Sequence, residues 1–142
     1  MQGHMIMIEA VNPPEWEKPK GYANGMLVDG ERLYTGGQIG WNKDQVFEHH
    51  DFIGQLEQTL ANIASIVRAA GGEVTDIVRL TWFITDKKAY VANQKNIGAA
   101  YRKVMGRHFP AMSVVVVAGL IEDAALVEIE ATAEIGKSRK DV

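Results

Sequence analysis

The residues best placed to do chemistry are carboxylates on a strand-like stretch near the end of the chain. From Val127 the sequence alternates strictly, with Val127, Ile129, Ala131, Ala133 and Ile135 in one set and Glu128, Glu130, Thr132 and Glu134 in the other. A period of two is that of a half-buried strand, so the second set forms a row on the open face. Acidic side chains are depleted in strands, and three on one face ask for a reason. One reading is a solvated face, which the sequence alone favours. The other is a face closed by another subunit, leaving one glutamate in a cleft to orient water or move a proton. Just upstream, Val114, Val115, Val116 and Val117 form an unbroken β-branched run, expected as a strand covered on both faces and shielded from water.

Three further places carry functional side chains or unusual backbone. Tyr22 sits where an irregular, proline-rich segment re-enters the fold, and is either a core-edge aromatic with a wet hydroxyl or a site residue. Thr35-Gly36-Gly37-Gln38 ends a strand-like run in paired glycines, which weaken a strand unless a ligand or a neighbouring strand needs close approach to the backbone. Trp41 lies in the polar loop after Ile39, where an indole packs on its own domain or walls a pocket or interface.

Other chemistries drop out. The chain has no cysteine, which removes disulfides, thiol nucleophiles and thiolate metal sites together. It has no glycine-rich phosphate loop before a helix, no His-Glu-x-x-His and no serine in a nucleophile elbow. His49 and His50 are adjacent, and neighbours on a helix diverge by about 100°. His108 stands alone before Phe109-Pro110, so no metal site is assigned.

The elements that must position these residues follow from spacing. Met5 to Val11 alternates weakly as a first strand. Gly25 to Val28 and Arg32 to Gly37 are strand-like runs about Asp29-Gly30, a dipeptide that favours a two-residue hairpin turn. Phe52, Ile53, Leu56, Leu60, Ile63, Ile66 and Val67 keep helical spacing between an Asp51 cap and a Gly71-Gly72 stop. Val74 to Thr85 reads as a strand with Val78, Leu80, Trp82 and Ile84 on one face. Ala89 to Met105 reads as a second helix burying Tyr90, Val91, Ile97, Tyr101 and Val104. The result is an α/β sandwich, one mixed six-stranded sheet with two helices on one face. The other face would lie open in a single copy, which predicts self-association.

At 142 residues, 46% hydrophobic, the chain has enough apolar material for one domain with a real core. The opening residues 1–4 read as an expression scar, leaving a single domain over 5–142. A net charge of −3 carries no electrostatic footprint for nucleic acid or an anionic membrane surface. No apolar run approaches the roughly 20 residues of a membrane span. A cytoplasmic location is expected.

Tyr22 in Lys20-Gly21-Tyr22-Ala23-Asn24-Gly25, Thr35-Gly36-Gly37-Gln38-Ile39 after a hairpin, Ala69-Ala70-Gly71-Gly72, Phe109-Pro110-Ala111 and Val127-Glu128-Ile129-Glu130-Ala131 together resemble the RidA family, also called YjgF/YER057c/UK114. The resemblance implies a chorismate-mutase-like α/β fold, a homotrimer with clefts between subunits, and cofactor-free, metal-free hydrolysis of reactive 2-imino acids or their enamine tautomers to 2-keto acids and ammonia. By motif it also implies that Tyr22 lines the cleft, that Gly37 with Gly36 offers backbone groups to the substrate, and that Glu128 positions the attacking water.

This chain departs from the family pattern at the substrate-binding end. Where imino-acid deaminases of the family read Phe-Pro-Ala-Arg-Ser, it reads Phe109-Pro110-Ala111-Met112-Ser113. A thioether cannot replace a bidentate guanidinium on a carboxylate. Gly36 stands for the usual serine and Gly98 for an asparagine. The expected substrate is therefore an imine or enamine other than the usual small 2-imino acids, with Met112 and Trp41 as apolar walls and Arg79 or Arg107 as replacement cations. The alternative is a non-catalytic trimer that binds a small metabolite or a partner in the same cleft.

Overall fold

The computed structural model describes residues 5–136, so the leading residues 1–4 read as a scar lie outside the described residues. Strands β1 (Ile8–Val11), β2 (Gly25–Val28), β3 (Arg32–Thr35) and β4 (Gln38–Ile39) lead into helix α1 (Phe52–Ala69). Then come β5 (Ile77–Ile84), α2 (Lys87–Ala92), α3 (Gln94–Met105), β6 (Ala111–Val116) and β7 (Val127–Glu134). The sheet order is β1-β2-β3-β7-β5-β6, with β4 pairing β7 beside β3. Among the described strands only β5 and β6 pair in parallel, because the helical crossover through α2 and α3 returns the chain to the same end of the sheet.

The fold is the mixed α/β sandwich expected. The helices share one face of the sheet, α1 packing on β7, β4 and α3. Leu56, Leu60, Ile63, Ile66 and Val67 of α1 are fully buried against Leu80, Ile84, Val127 and Ile129 of the sheet. Each such side chain contributes about 1.5–3 kcal/mol relative to leaving it in water. The Asp51 carboxylate caps α1 by accepting from Gly54 N at 2.9 Å. Gly71, at φ +92°, turns the chain out of the helix.

Several details differ from the sequence reading, each for a local reason. The sheet has seven strands rather than six, because two residues after the glycine pair form β4. The described residues form three α-helices rather than two. Asn93 breaks the second, its side-chain amide donating to Ala89 O at 2.7 Å. Val91, on the short α2, is exposed rather than buried. The hairpin between β2 and β3 has three connecting residues, since Val28 pairs Arg32, although Asp29 and Gly30 do take the left-handed φ values of 54° and 68°. Residues Val74–Asp76 form a 3₁₀ turn before β5 instead of its first residues. A register shift between Ile77 and Arg79 then turns Val78 outward, 45% exposed, while Ile77 takes the buried place.

The largest difference is β6. It is the edge strand, paired on one side only, and Val115 and Val116 are exposed. Of the valine run expected to be dry on both faces, Val115 and Val116 stand in water in a single copy, while Val114 is half-buried against the core. The sheet face away from the helices carries the polar residues Arg79, Thr81, Glu130 and Thr132 together with Phe83 and Val115, as the strand registers require.

Candidate functional site

The glycine pair is held in place by a chain of side-chain amides. Asn12 Oδ1 accepts from both the backbone N and the side-chain Nδ2 of Asn24, at 2.9 and 3.0 Å. Asn24 Oδ1 accepts from Gln38 Nε2 at 3.2 Å, and Gly36 N donates to Asn24 O at 2.8 Å. Asn24 and Gln38 are buried, so these bonds satisfy groups that would otherwise be costly to bury. From Gly37 the chain enters β4, where Ile39 pairs with Glu128 of β7. This pairing brings the glycine backbone up to the carboxylate.

A cavity of about 350 Å³ opens there, lined among others by Tyr22, Gly36, Gly37, Trp41 and Glu128. Five of the six residues singled out from sequence thus surround one space. Tyr22 accepts a hydrogen bond at its hydroxyl from Gln45 Nε2, at 3.3 Å. Trp41 stacks obliquely on Phe47, and its carbonyl accepts from Asn62 Nδ2 of α1 at 2.8 Å. Both aromatics are therefore walls of the cavity tied back to the scaffold rather than core residues.

Glu128 is half-buried and faces Phe83 across the β5/β7 pairing. Its pKa is raised above the usual carboxylate range, first by burial and second by the nearby negative charge of Glu130. A carboxylate so placed is a better proton acceptor than one in water.

Met112 does not join this group within one copy. It lies on β6 opposite Leu80 and lines a separate cleft of about 170 Å³ with Trp82, Gly98, Tyr101, Arg102 and Phe109. The two replacement cations expected from sequence also lie elsewhere. Arg79 faces a polar hollow with Glu130, Thr132 and Tyr34 on the open sheet face, and Arg107 lines neither that hollow nor the two clefts just described.

Four contributors were missed in the sequence. Asn24 and Gln38 hold the glycine backbone, and Ile121, 97% exposed, stands at the rim of the cavity. Gln55 holds the loop that carries Ile121. Fully buried, it donates to Ala124 O at 2.8 Å and His49 O at 3.1 Å and accepts from Leu126 N at 2.7 Å. A polar residue inside the apolar stripe of α1 was the available signal. His108 is structural, its Nε2 lying 2.7 Å from Ile77 O. Among the described residues no group of three or more histidines and carboxylates gathers closely enough to hold a metal ion.

Comparison with known proteins places this architecture. The chain is 37% identical over 115 residues to a 2-iminobutanoate/2-iminopropanoate deaminase of Escherichia coli, covering 79% of this chain and 85% of that one. It is 36% identical over 104 residues to a RutC family protein of Pasteurella multocida, covering 73% and 80%. Among solved structures it resembles E. coli TdcF with bound serine at 30% identity and a TM-score of 0.76, covering 90% of this chain and 99% of that one. The E. coli YjgF gene product matches at 33% identity and a TM-score of 0.75, over 89% and 98%. The family description "Endoribonuclease L-PSP" matches residues 16–135. With a family match over residues 16–135, relatives at 36–37% identity and the same fold in the solved structures, the chain belongs to the RidA/YjgF (endoribonuclease L-PSP) family.

Proposed function

We propose that the protein is a hydrolytic deaminase of a reactive imine or enamine, with Glu128 as the group that activates water. The observation that carries this reading is the half-buried Glu128 carboxylate, its pKa raised, set against the backbone of Gly37 in an open cavity of about 350 Å³. The names of its relatives support imine deamination as the reaction class. The net charge of −3 speaks against RNA as the substrate.

The reaction then runs as follows. Water oxygen bonds the imine carbon while one of its protons passes to the Glu128 carboxylate, which returns it to nitrogen. The resulting carbinolamine loses its hydroxyl proton to Glu128 as the C–N bond breaks, and ammonia leaves with the proton. The sum is imine plus water to carbonyl plus ammonia. Gly36 and Gly37 present backbone to the substrate, and Tyr22 and Trp41 close it in. No cofactor enters the scheme. The working form is a homotrimer in the cytoplasm, and the partly apolar open sheet face with Phe83 and Val115 supports an assembly of copies.

The substrate in this reading is not a small 2-imino acid, since the position that carries arginine in such deaminases holds Met112. That same substitution favours the second reading, a trimer that binds a metabolite without turning it over. The test is release of keto acid and ammonia from 2-iminopropanoate and 2-iminobutanoate made in situ, comparing the parent with Glu128→Ala and Met112→Arg. Silence in the parent and activity in Met112→Arg is expected. Activity of Met112→Arg that survives the addition of Glu128→Ala would refute the role given to Glu128, and silence in all of them would favour the binding protein.

A further inference from the structure

The cleft between α3 and β6 is built from an apolar floor and one cation. Tyr101 and Phe109 stack at 5.5 Å with their planes 10° apart; Met112, Ile97, Trp82 and Tyr90 add apolar lining, and Gln94 adds an uncharged amide. Trp82 is 2% exposed, and its indole Nε1 is the one buried side-chain polar atom without a hydrogen-bond partner among the described residues. Such orphans are rare in folded proteins. The cation is Arg102, one helical turn after Gly98. A Cβ built on Gly98 would lie 3.1 Å from a guanidinium nitrogen of Arg102, so the bare glycine leaves the notch over which that guanidinium lies. The basic neighbour on the next position, Lys103, is bound to Glu57 at 3.1 Å, whereas Arg102 has no carboxylate within ion-pair distance among the described residues. An unpaired guanidinium at the rim of an aromatic cleft matches a carboxylate joined to a flat apolar group.

We propose that this cleft binds an aryl-bearing 2-imino or 2-keto acid, its ring against the exposed Phe109 and Met112 and its carboxylate on Arg102. The methionine on β6 removes one cation and supplies apolar wall, and the glycine on α3 lets a different arginine take the anion. A ligand held this way keeps its imine carbon, which is next to the carboxylate, at the rim of the cleft. There a neighbouring copy can present Glu128, whose own cavity lies on another part of the chain. In its substrate class the inference rests on the deaminase reading; the binding site itself does not.

The test is binding of phenylpyruvate, pyruvate and benzyl methyl ketone to the full-length protein by titration calorimetry, for the parent, Arg102→Gln and Glu128→Gln. Phenylpyruvate should bind at least tenfold tighter than pyruvate, which lacks the ring, and than the ketone, which lacks the carboxylate. Arg102→Gln, an exposed change that leaves the fold intact, should bring phenylpyruvate down to the level of the ketone, and Glu128→Gln should bind it as the parent does. With the imine made from phenylalanine by an amino-acid oxidase, Arg102→Gln should raise KM at least tenfold with kcat kept. No phenylpyruvate binding by the parent, or an affinity that Arg102→Gln leaves unchanged, overturns the site. Binding that depends on Arg102 in a parent that hydrolyses no imine upholds the site and overturns the deaminase reading instead.

Discussion

Gly37 and Glu128 occupy each other's space: a Cβ built on Gly37 would lie 2.5 Å from Glu128 Oε2 and 2.8 Å from its Cδ. No real side chain approaches that closely, so glycine at 37 is what allows the carboxylate to lie along the backbone of the loop entering β4. Gly37→Ala should push the carboxylate aside by about an ångström. A displacement of that size costs roughly 10²-fold in kcat where geometry governs the reaction. Steady-state kinetics checks this, with an unchanged melting temperature to show that the fold is intact. Full activity in Gly37→Ala would remove Glu128 from the chemistry.

The raised pKa of Glu128 sets a pH dependence. The base form is the active one, so kcat/KM should climb with pH through that raised pKa, above the ordinary glutamate value of about 4.3. Burial is the larger cause and the charge of Glu130 the smaller. Glu130→Gln should move the acidic limb to lower pH without restoring the ordinary value. A limb that stays in place would show that Glu130 does not act on it.

The same shift links to stability with the opposite sense from a salt-bridged acid. A carboxyl whose folded pKa lies above its unfolded pKa favours folding while protonated, and this contribution fades as pH rises from the unfolded value through the folded one. Glu128→Gln should therefore melt higher than the parent at neutral pH, and the gap should close as the solution is acidified towards pH about 4, the ordinary carboxyl range. Thermal melts across this range check both the sign and the window.

Gln55 holds the loop over the cavity with three hydrogen bonds from a fully buried side chain. Gln55→Leu keeps the volume but strips partners from Leu126 N, Ala124 O and His49 O. Each buried group left unpaired costs about 1–3 kcal/mol, so a loss of roughly 3 kcal/mol is expected in urea unfolding. Faster amide exchange at Leu126 should accompany it.

Gly98 lies inside α3, where glycine costs roughly 0.5–1 kcal/mol relative to alanine. Gly98→Ala should raise stability by about that amount, because the atom nearest the new Cβ is the far end of the flexible Arg102 side chain. It should also shift the guanidinium off the helix and weaken phenylpyruvate binding. More stability with unchanged binding would mean that the notch does not hold Arg102.

The sequence by itself determined whatever repeats at short range. The alternation of β7 announced which of its residues would be buried, and Val127, Ile129, Ala131, Ala133 and Ile135 all are. The helical stripe and aspartate cap announced α1, and five local motifs carried the family. Periodicity reports which face of an element is dry, but not how many partners an edge has, which is why Val115 and Val116 of β6 read as buried and stand in water in a single copy. It likewise could not see the register shift that turns Val78 outward, or the break at Asn93, where the side-chain amide donates to Ala89 O. Tertiary structure alone decided the arrangement of the site. The antiparallel pairing of β4 with β7 joins Gly37 to a carboxylate 91 positions further on, and the crossover that leads into β6 sets Met112 apart from them beside Arg102. Such neighbours are fixed by strand order and register, which depend on every element packing at once.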